Sequence, residues 1–259
     1  MKKINILLKT KGFISLVTIF LSVFVWLALW ELLSHLVDLE FLFPGPIKTF
    51  KALFRLCVTA KFWKTIAFSM LRIFLGLGLG VIFGIALALI YKFVPLFRSF
   101  ISIGMTVIKS TPVASIILVL WVVLSNGSER LPTAIALLMV MPIVWQNVCD
   151  GFEAIDSDLA ELCDVFQLSF KKRFKLLIFP PLLRYFIPAF LTSVGLAWKS
   201  GIAAEIISYT KNSIGRNILD AKNYFEGDVM LAWTLSVIIL SLCFEYFVKA
   251  LTRRFSKWD

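Results

Sequence analysis

Six ionisable residues lie within or at the edges of long apolar stretches: Glu31, Arg72, Lys109, Lys199, Glu205 and Glu245. If these stretches cross a bilayer, each charge near its centre costs about 3 kcal/mol or more, so it should face other helices or water. Lys109 and Lys199, with Glu205 beside them, could line a passage that favours an anionic solute. Alternatively, Arg72, Lys199 and Glu205 neutralise one another between helices, which is the usual arrangement. Both interpretations stay open at this stage.

No residue set suited to catalysis or metal binding accompanies these charges. The chain has one histidine and four cysteines without paired spacing, which argues against a zinc site or a disulfide framework. No GxxxxGK[ST] sequence occurs, so we expect no ATP hydrolysis by this chain alone. A membrane-embedded enzyme is also disfavoured, because no HExxH, GxSxG or carboxylate dyad is present.

The composition indicates a polytopic all-α membrane protein. Hydrophobic residues make up 59% of the 259 positions and charged residues only 17%, with a mean hydropathy of +0.89. A helix that crosses a hydrocarbon core of about 30 Å needs about 20 apolar residues. Six stretches qualify, and they form one predicted transmembrane domain over residues 1–259: roughly 13–34, 66–91, 97–124, 131–149, 184–207 and 229–249. Lys109 and Pro112 interrupt the third.

The net charge of +11 is best explained by the membrane. No basic stripe with interleaved aromatic residues stands apart from the spans, so nucleic-acid binding is disfavoured. With a cytoplasmic N-terminus and an uncleaved first span, the inner segments hold 15 Lys and Arg residues and the outer segments nine. For a multi-pass protein of the plasma (inner) membrane, the positive-inside rule therefore predicts that both termini lie in the cytoplasm. Basic residues are also expected to contact lipid headgroups.

The first outer loop contains an amphipathic pattern after Pro44-Gly45-Pro46. Apolar residues recur at helical spacing on one side, and basic residues occupy the other; the apolar set is Ile47, Phe50, Leu53, Phe54 and Cys57, and the basic set is Lys48, Lys51 and Arg55. The pattern predicts a helix that lies at the outer membrane surface.

Three glycines of the second span, Gly76, Gly80 and Gly84, follow one another every four residues. The spacing differs from a phosphate-binding loop, since it lies inside an uncharged stretch and no Lys-Ser/Thr pair follows it. Small residues at this spacing let two helix backbones approach closely. We expect tight helix packing here.

Residues 150–181 form a polar insert between the fourth and fifth spans. Leu159, Leu162 and Phe166 share one face of a first short helix that begins near Asp156, and a break near Gln167 precedes a second helix. Pro180 and Pro181 are expected to end the second helix. Such a pair could lie on anionic headgroups through its basic residues, or it could be gripped by another protein.

The insert resembles the loop shared by permease subunits of binding-protein-dependent ABC importers. In that loop Glu-Ala-Ala is followed, after three residues, by Gly, and later by Ile-x-Leu-Pro. Aligning its last proline with Pro180 places the glutamate on Glu161, the alanines on Leu162 and Cys163, and the glycine on Gln167. Only the glutamate and the proline match fully.

Further matches follow in the same order as in the nitrate, sulfonate and taurine branch of that family, whose MetI-like fold has six spans. They are Pro44-Gly45-Pro46, Ser69 with Arg72 and Gly76, Trp121 with Gly127-Ser128-Glu129, Trp198-Lys199, and Ala203-Ala204-Glu205. Together they cover most of the chain.

The resemblance implies that the insert docks on a cytoplasmic ATPase, through Asp158, Glu161, Leu162, Cys163, Asp164 and Gln167. It implies two ATPase subunits that bind ATP and Mg, a second permease copy, identical or related, and an extracytoplasmic solute-binding protein. No cofactor is expected on this chain. The solute would be small and anionic, of the sulfonate, taurine or nitrate type, and a thiamine-precursor-like molecule also suits this branch.

Two other transport-related interpretations remain. An ion-gradient-driven secondary transporter would show inverted repeats and paired broken helices, but only the third span is clearly broken. A non-transporting scaffold would bind an ATPase without moving a solute.

Overall fold

A computed structural model describes residues 2–37, 39, 41, 43–124 and 129–252, with the backbone alone for residues 2–17 and 19. Every regular element of this described part is helical. The α-helices are α1 (Lys2–Val37), α2 (Pro46–Cys57), α3 (Ala60–Phe93), α4 (Arg98–Ser110), α5 (Val113–Val123), α6 (Leu131–Glu153), α7 (Ser157–Val165), α8 (Phe170–Arg173), α9 (Phe179–Ser208), α10 (Ile214–Asn223) and α11 (Gly227–Thr252). The all-α expectation is confirmed.

Five helical stretches are long and apolar enough to cross a membrane, and a sixth span arises if α4 and α5 count as one. α4 and α5 meet at an angle of 106°. Thr111 and Pro112 separate them, because proline cannot supply the N–H that would continue the helix. The interruption predicted at Pro112 is therefore confirmed, and it is a sharp bend.

Two predicted motifs fall partly outside the described residues. Gly127 and Ser128 of the third-span motif lie there, as do the C-terminal basic residues Arg253, Arg254 and Lys257.

The chain divides into two compact units. The first comprises Met1–Thr59 and Ile218–Ser236, and the second comprises Ala60–Asn217 and Val237–Asp259. The description of residues 1–259 as a single domain stays a prediction.

In the second unit, the glycine stripe of α3 packs directly on α6. A Cβ added to Gly80 would lie 2.8 Å from the Cβ of Val140, and one added to Gly84 would lie 2.8 Å from the Cβ of Val144. Both separations are far below ordinary van der Waals contact. Since only glycine permits this approach, the predicted tight packing is confirmed.

The core of this unit lies where α5, α6 and α9 meet. Its centre consists of Ile117, Leu131, Ile135, Met139 and Ala204. Trp198 of α9 is also fully buried; its ring packs edge-on against Phe244 at 5.0 Å, and its Nε1–H donates to the carbonyl of Val237 at 3.1 Å. The Trp198 motif residue is therefore part of the packing between α9 and α11.

The chain does not break at Pro180 and Pro181, which corrects the expectation from the sequence. Helical backbone runs from Phe170 to Ser208, and residues Phe174–Ile178 form a wider π-helical turn. The two prolines occupy the first turn of α9. Proline is tolerated in the first turn of a helix, where its fixed φ suits the helix.

In the first unit, α2 forms where the amphipathic pattern predicted it. Its buried residues are small: Pro46, Thr49 and Ala52. The large apolar residues Ile47 and Phe54 remain exposed. The sequence pattern indicated an apolar face and a basic face, but the helix packs through a third face, which carries these small residues.

Candidate coupling helix and buried charge network

Helix α7 carries an apolar stripe that the chain does not cover. None of its residues is buried, and four apolar side chains in α7 or directly after it are more than half exposed: Leu159, Leu162, Val165 and Phe166. Leu159, Leu162 and Phe166 follow i, i+3 and i+7 spacing, so they share one face. An exposed stripe of this kind is suited to contact with a protein partner or with the membrane surface.

The N-terminus of α7 is fixed by Asp156. One oxygen of its carboxylate accepts hydrogen bonds from the backbone N–H groups of Asp158 at 2.8 Å and Leu159 at 3.3 Å. These donors have no partner within the helix, so the cap satisfies them and places negative charge at the positive end of the dipole. The helix start expected from the sequence is confirmed.

The C-terminus of α7 closes through Gln167, whose φ is +47°. The N–H of Gln167 donates to the carbonyl of Asp164, and that of Leu168 donates to the carbonyl of Cys163, both at 3.0 Å. This is a Schellman closure, in which a left-handed residue usually is glycine. Gln167 occupies the position that aligned with the family glycine, so a non-glycine residue here adopts the left-handed geometry at a cost of about 1–2 kcal/mol.

An ion pair fastens the two halves of the insert. The Arg173 guanidinium of α8 donates to the carboxylate of Asp164 of α7. Together with the two caps, this pair holds α7 at a defined angle to the helical stretch that continues into α9.

The residues expected to dock on an ATPase lie together in and just after α7. Glu161 and Leu162 are exposed, and Cys163 is partly buried. Asp158 lies in the first turn, Asp164 binds Arg173, and Gln167 forms the closing turn. Within this set, Leu162 belongs to the exposed stripe, whereas Asp164 and Gln167 shape the helix.

A second polar cluster lies inside the helix packing and centres on Glu205 of α9. Its side chain is fully buried. The Ser69 hydroxyl of α3 donates to Oε2 at 2.9 Å, and the N–H of Gly215 donates to the same oxygen at 3.2 Å. Ser69 Oγ in turn accepts from the N–H of Ile214 at 3.0 Å. The carboxylate therefore caps the first turn of α10 from another helix, where negative charge is favoured.

Arg72 supplies the opposite charge. Its Nη1 lies 3.8 Å from Glu205 Oε1, which has no hydrogen-bond partner of its own. The guanidinium also donates to the carbonyl of Lys211 at 3.0 Å and to that of Asn212 at 3.3 Å. Arg72 and Glu205 thus join α3, α9 and the turn after α9.

Gly215 permits this arrangement. A Cβ at this position would lie 2.5 Å from the backbone nitrogen of Ile206 and from the Cβ of Glu205. Only glycine can bring its N–H this close to the carboxylate of Glu205.

The three residues proposed for a solute passage separate in the structure. Lys109, at the end of α4, and Lys199, on α9, are both exposed, whereas Glu205 is fully buried in the network. The pairing alternative therefore applies to Arg72 and Glu205, and Lys199 lies outside that pair. Glu205 is fully buried between helices, and a passage lined by Lys109, Lys199 and Glu205 stays a prediction.

Sequence reasoning assigned no role to Ser69, Ile214 or Gly215. Ser69 and Arg72 are three residues apart, so they share a face of α3. This spacing could have indicated from the sequence that Ser69 belongs with Arg72. The partners in the turn at 211–215 are about 140 residues away, which no local pattern reveals.

The family model described as "Binding-protein-dependent transport system inner membrane component" matches residues 80–257. This chain belongs to that family. The permease is 22% identical over 235 residues to the putative aliphatic sulfonates transport permease protein SsuC of Bacillus subtilis, covering 90% of this chain and 84% of that protein. It is 23% identical over 242 residues to the taurine transport system permease protein TauC of Escherichia coli, covering 90% and 86%.

A solved structure supports the same fold for the permease. The permease aligns with the crystal structure of an amino acid ABC transporter with histidines, with a TM-score of 0.60 and a sequence identity of 16%. The alignment covers 72% of this chain and 90% of that chain. The permease is thus a multi-pass plasma-membrane subunit of the ABC importer class, as the resemblance in its sequence implied.

Proposed function

We propose that this permease passes a small sulfonate-type anion through the membrane as one of two permease subunits. An extracytoplasmic binding protein delivers the solute, and two separate ATPase subunits, which bind ATP and Mg, supply the energy. The role of the permease is to convert motion of the ATPases into opening and closing of the passage.

The uncovered face of α7 carries this proposal. A helix with no buried residue normally frays, but α7 is capped at Asp156, closed at Gln167 and tied to α8 by Asp164 and Arg173. A rigid helix with an exposed apolar stripe is suited to a groove on another protein. Since α7 follows α6 after three residues, a push on α7 reaches the membrane helices directly.

The anionic solute is supported by two observations. The relatives named above are permeases for sulfonates and taurine. Lys109 and Lys199 also present exposed cationic groups on helices of the transmembrane bundle, where unneeded charge is costly. Glu205 has no solute contact in this proposal; it positions the outer turn.

The docking role is tested by co-purification with the cognate ATPase. Glu161→Lys reverses the charge beside the exposed stripe of α7 and should lower ATPase recovery at least tenfold. Glu153→Lys is a matched control, because Glu153 is an exposed acid at the end of α6, outside α7. Equal recovery with both variants, at normal folded yield, would refute docking through α7.

The solute is tested by uptake into proteoliposomes that hold the permease, the ATPase and the binding protein. We expect ATP-dependent uptake of taurine or an alkanesulfonate and none of choline. Lys199→Met should lower uptake at unchanged folded yield if Lys199 lines the passage. Uptake that persists without ATP and collapses with the ion gradient would instead identify a secondary transporter.

A further inference from the structure

The part of the insert that follows α7 has a basic and aromatic surface. In α8 and the first half of the π-helical turn, five exposed residues form what we call the α8 surface: Phe170, Lys171, Lys172, Phe174 and Lys175. The rings of Phe170 and Phe174 lie 6.5 Å apart, and Phe170 is 76% exposed. Residues 170–178 contain no acidic residue.

The lysine charges of the α8 surface are uncompensated. Arg173 forms an ion pair with Asp164, whereas no carboxylate within residues 129–252 lies at ion-pair distance from the three lysines. Helix α7 has the opposite composition, since it carries Asp158 and Glu161 besides Asp164 and has no basic residue. The insert therefore presents an acidic half and a basic half, which the Asp164–Arg173 ion pair joins.

Contacts of α3 indicate where the membrane lies on α9. Between Arg72 and Lys92, α3 has an uncharged run, residues 73–91, which is about 28 Å long. This length matches a hydrocarbon core of about 30 Å. At one end of the run, Ile73 packs on α9, where a Cβ added to Gly201 would lie 2.6 Å from the Cγ1 of Ile73. Gly201 therefore lies at one edge of the core.

The other edge of the core lies near Leu182. The Nζ of Lys92, which ends the uncharged run, lies 5.9 Å from the centre of the Phe152 ring of α6. Beside Phe152, a Cβ added to Gly151 would lie 3.1 Å from the Cα of Leu182. Helical backbone continues from Leu182 back to Phe170, so the lysines of the α8 surface lie about 10–16 Å beyond this edge.

This distance favours a protein partner over the bilayer. The headgroup layer is only about 5–8 Å thick, so the α8 surface extends past it into water. A bilayer would leave the exposed rings of Phe170 and Phe174 uncovered there, whereas a protein surface can cover them. The α8 surface also follows the exposed stripe of α7 after one turn, at Gln167, so a partner that covers the stripe comes close to both halves.

We infer that the α8 surface is a second contact with the ATPase, and that the groove which receives α7 is acidic where it faces α8. The inference rests on the docking through α7 proposed above. It adds a direction to that docking: entry of the insert in the reverse direction would bring like charges together, and such contacts are strongly unfavourable.

The test measures the dissociation constant (Kd) of the cognate ATPase for the full-length permease in detergent, at low and at high salt. Lys171→Glu/Lys175→Glu should weaken binding about 20- to 50-fold, because attraction becomes repulsion. Lys171→Gln/Lys175→Gln should weaken it only about fivefold and should flatten the rise of Kd with salt. Changing the facing carboxylate of the ATPase groove to lysine should restore binding of the charge-reversed variant and not that of Glu161→Lys.

The control is Lys61→Glu/Lys64→Glu, which reverses two exposed lysines at the start of α3. It should change Kd less than about twofold, since screening keeps charge effects local. An equal loss with the control pair would overturn the inference. Unchanged affinity of both α8 variants, with binding lost only in Glu161→Lys, would also overturn it and would leave docking through α7 intact.

Two further outcomes would count against the inference. Unchanged affinity of every variant, Glu161→Lys included, would overturn docking through α7 as well. Unchanged ATPase affinity of the α8 variants together with lost binding to phosphatidylglycerol vesicles would make the α8 surface a lipid contact. If the charge-reversed variant does not fold, the glutamine pair decides through its Kd and its salt dependence.

Discussion

The Glu205 network and helix α7 arrange charged and apolar groups in opposite ways. At Glu205 a carboxylate is fully buried and its partners come from α3 and from the first turn of α10, whereas in α7 the apolar side chains of Leu159, Leu162 and Phe166 are exposed. A buried charge is tolerated only where several groups compensate it, so the network fixes the helices around it. An exposed apolar stripe contributes little to the fold. Exposing these apolar side chains to water costs free energy, and this cost is reasonable only if another surface covers the stripe.

The difference indicates which contacts serve the fold and which serve a partner. Burial, and not residue type, separates them: Glu205 is charged but fully buried between helices, whereas Leu162 is apolar but 54% exposed. Substitutions at the two places should therefore have opposite effects on stability and on coupling.

The largest expected effect is on the network. Glu205→Ala leaves the donors of Ser69, Arg72 and Gly215 facing an empty space, and loss of one partner from a buried pair costs about 3–5 kcal/mol. We expect a strongly lowered folded yield and thermal midpoint in detergent. Glu205→Gln retains an acceptor oxygen and should cost less, about 1–3 kcal/mol.

Lys199→Ala is the control for this prediction, because Lys199 is an exposed cation on the same helix. It should leave the thermal midpoint nearly unchanged. Equal midpoints for Glu205→Ala and the wild type would mean that the buried network does not hold the helices.

Two leucines of the insert sharpen the comparison. Leu162 is 54% exposed and Leu177 only 6%. Leu162→Ser should abolish stimulation of the ATPase in the assembled transporter at an unchanged thermal midpoint. Leu177→Ser should instead cost roughly 2–5 kcal/mol of stability, because it removes a buried side chain and leaves a hydroxyl in its place. A large drop in stability for Leu162→Ser would show that the chain itself uses the stripe.

The smallest expected effect is a gain in stability. Gln167→Gly relieves the left-handed strain at the end of α7 and should stabilise this turn by about 1 kcal/mol, although glycine adds disorder to the unfolded chain. Hydrogen exchange of the amides of Leu168 and Ser169 would measure it, and slower exchange is expected. Gln167→Ala is the control: alanine keeps the left-handed strain, so the amides of Leu168 and Ser169 should exchange at the wild-type rate. Faster exchange for the glycine variant would contradict the role assigned to φ at Gln167.

Local patterns predicted most of the fold. Apolar runs located the spans, glycine spacing indicated a close helix contact on α3, and Asp156 marked the start of α7, because each depends on residues close in sequence. The alignment also placed Gln167 at the position where left-handed geometry is found.

The errors and omissions arise from contacts that are distant in sequence or from packing. Pro180 and Pro181 were expected to end a helix, but helical backbone continues through them from Phe170 to Ser208. The large side chains of α2 were grouped on one face, and the sequence could not show that Thr49 and Ala52 would be buried instead. Ser69 and Gly215 meet Glu205 only once α3, α9 and α10 are assembled.

The glycine contact between α3 and α6 also restricts how the permease can change shape. The backbone of α3 touches α6 at Gly80 and Gly84. If one helix slid along the other, the side chain of Val140 or Val144 would collide with the main chain of α3. We therefore expect α3 and α6 to move together as one rigid body. Since α7 follows α6 after three residues, we expect a displacement of α7 to move α6 and α3 together.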